Sequence, residues 1–201
     1  MLLTIISTAL VAVTVTGLLG LPLIPWLRKL KFGQTILDIG PIWHKKDKQG
    51  TPTMGGIMFI IGTIAAVTVG LILLGVNGLI GIDANSQKDM FGLIAAVGAA
   101  FFFGFIGFLD DFIKVKKKQN EGLTPMQKIV LQVLVIAAFF TARFLSGDTN
   151  TVIKFPFIGD LDLWIFYYII MGLGILYIVN AVNLTDGIDG LCGSVTFVYC
   201  I

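Results

Sequence analysis

The first 27 residues carry no charged side chain, and the run then meets Arg28, Lys29 and Lys31. A helix rises 1.5 Å per residue, so about 20 such residues cross the hydrocarbon of a bilayer. A secretory leader would put basic residues ahead of the apolar run. Here they follow it, which favours a retained span. Four more stretches qualify: Thr53 to Val76, Met90 to Leu109, a segment near Met126 to Leu145, and Leu163 to Val182. In the fourth stretch Lys128 and Arg143 lie near the ends, where long basic side chains can snorkel to the headgroups. In the fifth, Trp164, Tyr167, Tyr168 and Tyr177 suit the interfaces. A sixth run begins at Leu191 and is cut off after about ten residues, at Ile201.

Open sheet edges are not tolerated in hydrocarbon, so the expected fold is all-α. It is a polytopic integral membrane protein with five complete transmembrane helices and a truncated sixth, forming one incomplete membrane domain over 1–201. Gly20, Pro22 and Pro25 are expected to end or kink the first helix. Gly98 and Gly104 are expected to allow close helix contact. Only 13% of the residues are charged, against about a quarter in soluble domains. That excludes a nucleic-acid-binding domain and a disordered tail. Two cysteines, Cys192 and Cys200, make no disulfide framework, and His44 is the only histidine, so no zinc pattern exists.

The basic residues sort by side. Segments 28–52 and 110–128 hold 11 of the 14 Lys and Arg, while the intervening loops hold Lys88, Arg143 and Lys154. The positive-inside rule puts the rich side in the cytoplasm and the N-terminus in the periplasm. Alternation then makes 183–190 cytoplasmic too, although it carries Asp186 and Asp189 and no basic residue. The loop VIKFPFIGDLD on the other side reads as a small hairpin or an interfacial turn.

Three cytoplasmic loops carry candidate chemistry. The first runs from Lys45 to Gly56, where glycines and Pro52 shape the backbone, Thr51 and Thr53 offer hydroxyls, and Lys48 is placed for a phosphate contact at a helix start. It lacks the spacing of an ATP-binding P-loop. A basic juxtamembrane loop touching anionic lipid is the plainer reading. The second is Asp110-Asp111-Phe112-Ile113-Lys114. Two carboxylates at the edge of hydrocarbon need water, metal or a cation. On a helix Asp110 and Lys114 share a face. That permits either a salt bridge with a solvated cap or half of a magnesium–diphosphate site. The third is the stretch from Asn180 to Gly190. Asn180, Asn183 and Asp186 recur at helical spacing if the helix extends that far, and two Asp-Gly steps then force tight turns.

Taken together, Lys48-Gln49-Gly50-Thr51-Pro52-Thr53-Met54-Gly55-Gly56, Gly104 to Lys114 and Asn180 to Gly190 closely resemble the bacterial phospho-N-acetylmuramoyl-pentapeptide transferases. These belong to the polyprenyl-phosphate N-acetylhexosamine-1-phosphate transferases. The Thr-Pro-Thr-Met-Gly-Gly string is the feature most specific to the muramoyl-pentapeptide branch. The resemblance covers the whole chain and corresponds to the N-terminal part of the family. It implies transfer of phospho-N-acetylmuramoyl-pentapeptide from its UDP carrier to undecaprenyl phosphate, giving lipid I and UMP in peptidoglycan synthesis. It also implies Mg²⁺ as cofactor, a homodimer, and the bacterial inner membrane with a cytoplasmic active face. No nucleic acid is involved.

Carried over by motif, Asp110 and Asp111 resemble the paired active-site aspartates. Asp189, with Gly187 and Ile188, resembles the part that meets uracil. Lys48, Thr53, Asn183 and Asp186, with Asn180 nearby, resemble residues around the ribose and diphosphate, and Lys114 belongs to the same substrate-binding set. The family's main magnesium-binding aspartate and its histidine-rich loop are expected beyond residue 201, and the resemblance leaves the identity of the metal ligand within these residues open. Two routes fit the chemistry: direct attack by the lipid phosphate, or a carboxylate nucleophile. The direct route is favoured, with Asp110 or Asp111 as base or positioning group. The alternatives are a transporter or channel subunit and an inactive truncated transferase. A transporter would carry charges near the membrane midplane, whereas here they cluster at one edge.

Overall fold

The computed structural model describes residues 2–29, 54–77, 84–117, 119, 121–157, 159–186 and 190–200. In chain order these form α1 (Leu2–Lys29), α2 (Gly56–Val76), α3 (Ala84–Lys117), α4 (Pro125–Leu145), β1 (Val152–Phe155), β2 (Gly159–Asp162), α5 (Ile165–Thr185) and α6 (Leu191–Cys200). The five helices α1 to α5 are long and apolar enough to cross a membrane. This is the number expected from the uncharged runs. A 21-residue helix is about 31 Å long, close to the thickness of the hydrocarbon. Helix α1 does not end at its prolines: it continues through Pro22 and Pro25 to Lys29. Prolines are tolerated in membrane helices because neighbouring groups can satisfy the freed carbonyls.

The chain divides into two compact units, Met1–Gln87 with Gly104–Pro125, and Lys88–Phe103 with Met126–Ile201. Helix α3 contributes to both. In the first unit α1 and α2 pack antiparallel along glycines. A side chain at Gly70 would meet Thr8, one at Gly62 would meet Thr16 and the Ala12 carbonyl, and one at Gly20 would meet Met58. The partners run in opposite directions at a constant register, so one surface is shared over more than three turns. Small residues permit this approach where lipid supplies no hydrophobic drive between helices. Gly104 of α3 comes close to Ile60, as expected, whereas a Cβ at Gly98 would meet nothing within 4 Å. Close contact therefore involves Gly104 alone of the two. Ile106 and Asp110, one turn apart, are both buried on α3.

In the second unit α4 and α5 are also antiparallel. Gln132 meets Asn180, Gly172 packs against Ile136 and Phe140, and the Phe140 ring meets Tyr168 edge-on at 5.4 Å. The start of α4 is written as Thr124-Pro125-Met126-Gln127. A threonine before a first-turn proline, with Gln three residues on, is a helix-start pattern. Its end is a Schellman turn. Gly147, at φ +82°, donates to Phe144 O at 3.0 Å, and Asp148 N donates to Arg143 O at 3.1 Å. Arg143 closes the turn on the Asp148 carboxylate. That guanidinium holds the carboxyl of Asp148 below the usual carboxylate range, against the opposing effect of burial.

The hairpin option for the loop after α4 is the one adopted. β1 and β2 are antiparallel, with Ile153 opposite Leu161 and Lys154 opposite Asp160. Gly159, at φ +90°, follows the turn.

The glycine register of α1 and α2 makes a direct prediction. Gly62→Ala forces its new methyl against Thr16 and a backbone oxygen, which should cost about 1–3 kcal/mol. Gly17→Ala, with nothing within 4 Å of the added carbon, should leave stability unchanged or slightly raised. Thermal unfolding of the two variants in the same detergent checks the difference.

Candidate active site

The end of α3 gathers the first cluster. Asp110 is only 7% exposed although it carries a carboxylate. Burial of such a group is tolerated when donors surround it. Lys114 Nζ lies 2.7 Å from Asp110 Oδ2, one helical turn on, and the Leu123 N–H donates to Asp110 Oδ1 at 2.9 Å. The second bond depends on Gly122. A Cβ there would sit 2.6 Å from the Asp110 carbonyl oxygen and 2.8 Å from its Cγ. Any other residue would push the loop away and break the contact. Gly122 thus belongs to the site although no motif drew attention to it. A loop glycine is too common for sequence to distinguish.

Asp111 is held differently. Its carboxylate is about a third exposed, and its two contacts are long: Lys114 Nζ to Oδ1 at 3.3 Å, and the Met54 N–H to Oδ2 at 3.4 Å. Met54 has φ +67°, in the left-handed region that side chains seldom adopt. That conformation turns its N–H towards α3 immediately before α2 begins. Strain of this kind costs on the order of 1–3 kcal/mol and collects at functional sites. The Thr-Pro-Thr-Met-Gly-Gly string and the Asp110-Asp111 pair, separate in sequence, are therefore joined by one hydrogen bond. Of the two readings of Asp110 and Lys114 left open by the sequence, the salt bridge is present.

The donor set can be tested against a divalent cation. Mg²⁺ takes carboxylate oxygens sparingly and keeps water and phosphate ligands. Asp111, part-exposed and loosely held, fits that role. Asp110, with short bonds to an ammonium and a backbone N–H, is committed to holding the loop. No group of three His, Cys, Asp or Glu side chains gathers among the described residues.

The second cluster lies on α5. Asn180 is paired with Gln132 of α4: Asn180 Nδ2 donates to Gln132 Oε1 at 2.9 Å, and Gln132 Nε2 donates back to Asn180 Oδ1 at 3.5 Å. Asn180 Nδ2 also donates to Leu176 O at 2.8 Å, which employs both of its amide hydrogens. Gln132 is 4% exposed. It was not singled out as a candidate, although a lone carboxamide in the run Ile129 to Ala142 is the available signal. Asn183 and Asp186 are exposed, and Asp186 caps α5, which ends at Thr185. Gly190, at φ +79°, opens α6, in keeping with a tight turn. Lys48, Thr53, Gly187, Ile188 and Asp189 lie outside the described residues.

These features define a class: a polytopic helical membrane protein with a carboxylate pair and an ammonium at the end of one helix, tied to a Gly-rich helix start. Residues 93–201 match the model for glycosyl transferase family 4, and residues 48–60 match phospho-N-acetylmuramoyl-pentapeptide-transferase signature 1. With more than half of its residues covered by that model, the chain belongs to glycosyl transferase family 4. It is 43% identical over 197 residues to the phospho-N-acetylmuramoyl-pentapeptide-transferase of Clostridioides difficile, covering 96% of this chain and 55% of the relative. It is 40% identical to proteins of the same name from Clostridium perfringens (96% and 55% covered) and Staphylococcus saprophyticus (94% and 56%). The chain spans about half the length of the curated relatives it matches.

The amide pair predicts a swap experiment. Gln132→Leu leaves the Asn180 carboxamide without its partner and should cost about 1–3 kcal/mol. The double change Gln132→Asn with Asn180→Gln keeps the summed side-chain length and should recover most of that loss. Unfolding in detergent gives both values. A double variant no more stable than Gln132→Leu would reject the pairing.

Proposed function

We propose that this chain carries part of the catalytic apparatus that transfers phospho-N-acetylmuramoyl-pentapeptide from its UDP carrier to undecaprenyl phosphate, yielding lipid I and UMP. The observation that carries the reading is the Met54 to Asp111 hydrogen bond, which links the signature segment to the carboxylate pair. In a transporter or channel subunit nothing would require that link, and the carboxylates sit at a helix end rather than mid-helix.

In this reading Asp110 positions and Asp111 acts. The short Asp110 contacts fix Lys114 and the Gly122–Leu123 backbone. Asp111, free to leave its long contacts, accepts the proton or orients the phosphate of the lipid acceptor. A phosphate monoester is mostly ionised near neutral pH, with a second pKa of about 6. The base therefore has little proton to remove, and orientation is the larger part of its work. Lys114, released from Asp111, is placed to meet phosphate oxygen. Attack in line on the β-phosphorus forms the new P–O bond as the bond to UMP breaks. Both reactants are anions, and Mg²⁺ bound there would offset their repulsion and stabilise the leaving phosphate. Asp111 is the described residue that would ligate it. Asn183 and Asp186, with Lys48, Thr53, Gly187, Ile188 and Asp189, are assigned to the nucleotide and diphosphate.

The reading places the protein in the bacterial plasma membrane, with its N-terminus periplasmic, segments 28–52, 110–128 and 183–190 cytoplasmic, and a homodimer as the working form. The clustering of 11 of the 14 basic residues supports the orientation.

In the full-length protein Asp111→Asn should lower UMP release by about 10²–10⁴-fold while the protein remains folded. Ordinary turnover by this variant would remove Asp111 from the chemistry. For the orientation, single cysteines replacing Lys46 and Lys117, in a background without Cys192 and Cys200, should resist an impermeant maleimide applied to whole cells. They should react in inverted vesicles, and labelling from outside would reverse the topology.

A further inference from the structure

The hairpin between α4 and α5 has no part in the proposed chemistry, yet its two faces differ sharply. Successive side chains of a strand point to opposite faces. The register therefore puts Ile153, Phe155 and Leu161 on one face, and Val152, Lys154, Asp160 and Asp162 on the other. Lys154 stands directly opposite Asp160, an opposite-charge pair on the polar face. Phe155 and Leu161 are exposed, and at the tip Phe157 is 100% exposed. A three-residue turn needs no phenylalanine, and water gains nothing from one there.

A third aromatic group stands at the exit. Only Leu163 and Trp164 separate β2 from α5. Trp164 has φ +50°, a conformation that a bulky residue rarely takes, and its side chain is exposed. Local bonds hold it there. Trp164 N donates to Asp162 Oδ1 at 3.1 Å, Leu163 N donates to Thr151 O at 3.2 Å, and Tyr167 N donates to Trp164 O at 3.2 Å. The chain thus fixes an indole outward at the first turn of a membrane-length helix.

The tethers decide what covers this apolar surface. From Asp162 to Ile165 the chain takes three residue steps, at most about 11 Å, so the end of β2 stays within that distance of the start of α5. The other end is tied to α4 by residues 146–151, which are folded into the Schellman turn and the Arg143 to Asp148 contact. A hairpin held this close to the ends of two membrane-crossing helices lies at the bilayer surface. Aromatic residues are favoured there because their rings sit at headgroup level.

We propose that the β1–β2 hairpin is a membrane-interface anchor: its Ile153, Phe155 and Leu161 face and its Phe157 tip, with the Trp164 indole, seat in the headgroup–acyl boundary of the bilayer that α4 and α5 cross. The Lys154 and Asp160 face stays in water. The anchor fixes the ends of α4 and α5 relative to the membrane surface, and it is independent of the transfer reaction.

Adjacent residues on opposite faces provide the test. The chain, with Cys192 and Cys200 replaced by alanine, is given a single cysteine by Leu161→Cys or Asp160→Cys. Each is labelled with an environment-sensitive NBD fluorophore and reconstituted into phosphatidylcholine vesicles. The Leu161 label should show blue-shifted emission, quenching by lipids spin-labelled near the headgroup, and loss of quenching by aqueous iodide. The Asp160 label should show the reverse. Adding Phe157→Ser to the Leu161-labelled protein should restore iodide quenching. Equal behaviour of the two labels, whether both aqueous or both lipid-quenched, overturns the proposal. So does protection of the Leu161 label that disappears on dilution into excess lipid, which would assign the face to a second copy of the chain.

Discussion

A polar group carried into a lipid-facing helix cannot fall back on water, and this constraint governs the polar side chains that the apolar helices of this chain contain. Hydrocarbon offers no donors or acceptors, so each such group must find its partner within the protein. The threonines answer by turning onto their own helices: Thr68 donates to Ile64 O, Thr141 to Ala137 O and Thr185 to Ala181 O, each at 2.8 Å. Gln132 and Asn180 answer by pairing between helices. Asp110 answers with an ammonium one turn away and a loop N–H admitted by a glycine. Among the described residues no buried side-chain polar atom lacks a partner. The apolar majority is arranged around these solutions, and its exposed faces are left for lipid to cover.

The same constraint separates two chemically identical neighbours. Asp110 and Asp111 differ by about 100° around α3. That rotation puts one against the Gly122 loop and the other towards Met54. Lys114 reaches both, at 2.7 Å and 3.3 Å. A buried carboxylate with short bonds has little freedom, since losing a partner would leave a charge in a poorly solvated place. A part-exposed carboxylate with long bonds can exchange them for a ligand at small cost. The contrast in burial and bonding, on which the proposed division between a positioning and an acting carboxylate rests, thus follows from which way each side chain leaves the helix.

Much of this was legible in the sequence because the governing signals are local. An uncharged run of 20 residues needs no tertiary context to be read as a span, and residues four apart on a helix meet by geometry alone, as Asp110 and Lys114 do. What sequence could not supply are contacts set by distant partners. Gly122 looks like any loop glycine until the carboxylate that occupies its missing side chain is known. Asn180 belongs to a polar motif, and nothing in that motif announces that its amide pairs with Gln132, 48 positions away. Pro22 and Pro25 read in the sequence as ending or kinking the helix, and of the two the ending is not what happens, since α1 continues through both. Gly98 and Gly104 are indistinguishable in sequence, and only the second has a neighbouring side chain at contact distance.

The commitment of Asn180 alters how the polar stretch on α5 should be understood. Both of its amide hydrogens are used, and its oxygen already accepts from Gln132. A ligand approaching Asn180 would have to displace an interhelical bond in a poorly hydrated place, which is expensive. Asn183, close to one turn later, and Asp186 at the helix cap are exposed and need displace nothing comparable. In the proposed function, recognition of a polar ligand on this element is therefore assigned to Asn183 and Asp186. Asn180 holds α5 against α4, so that the two groups nearer the helix end are presented from a fixed register.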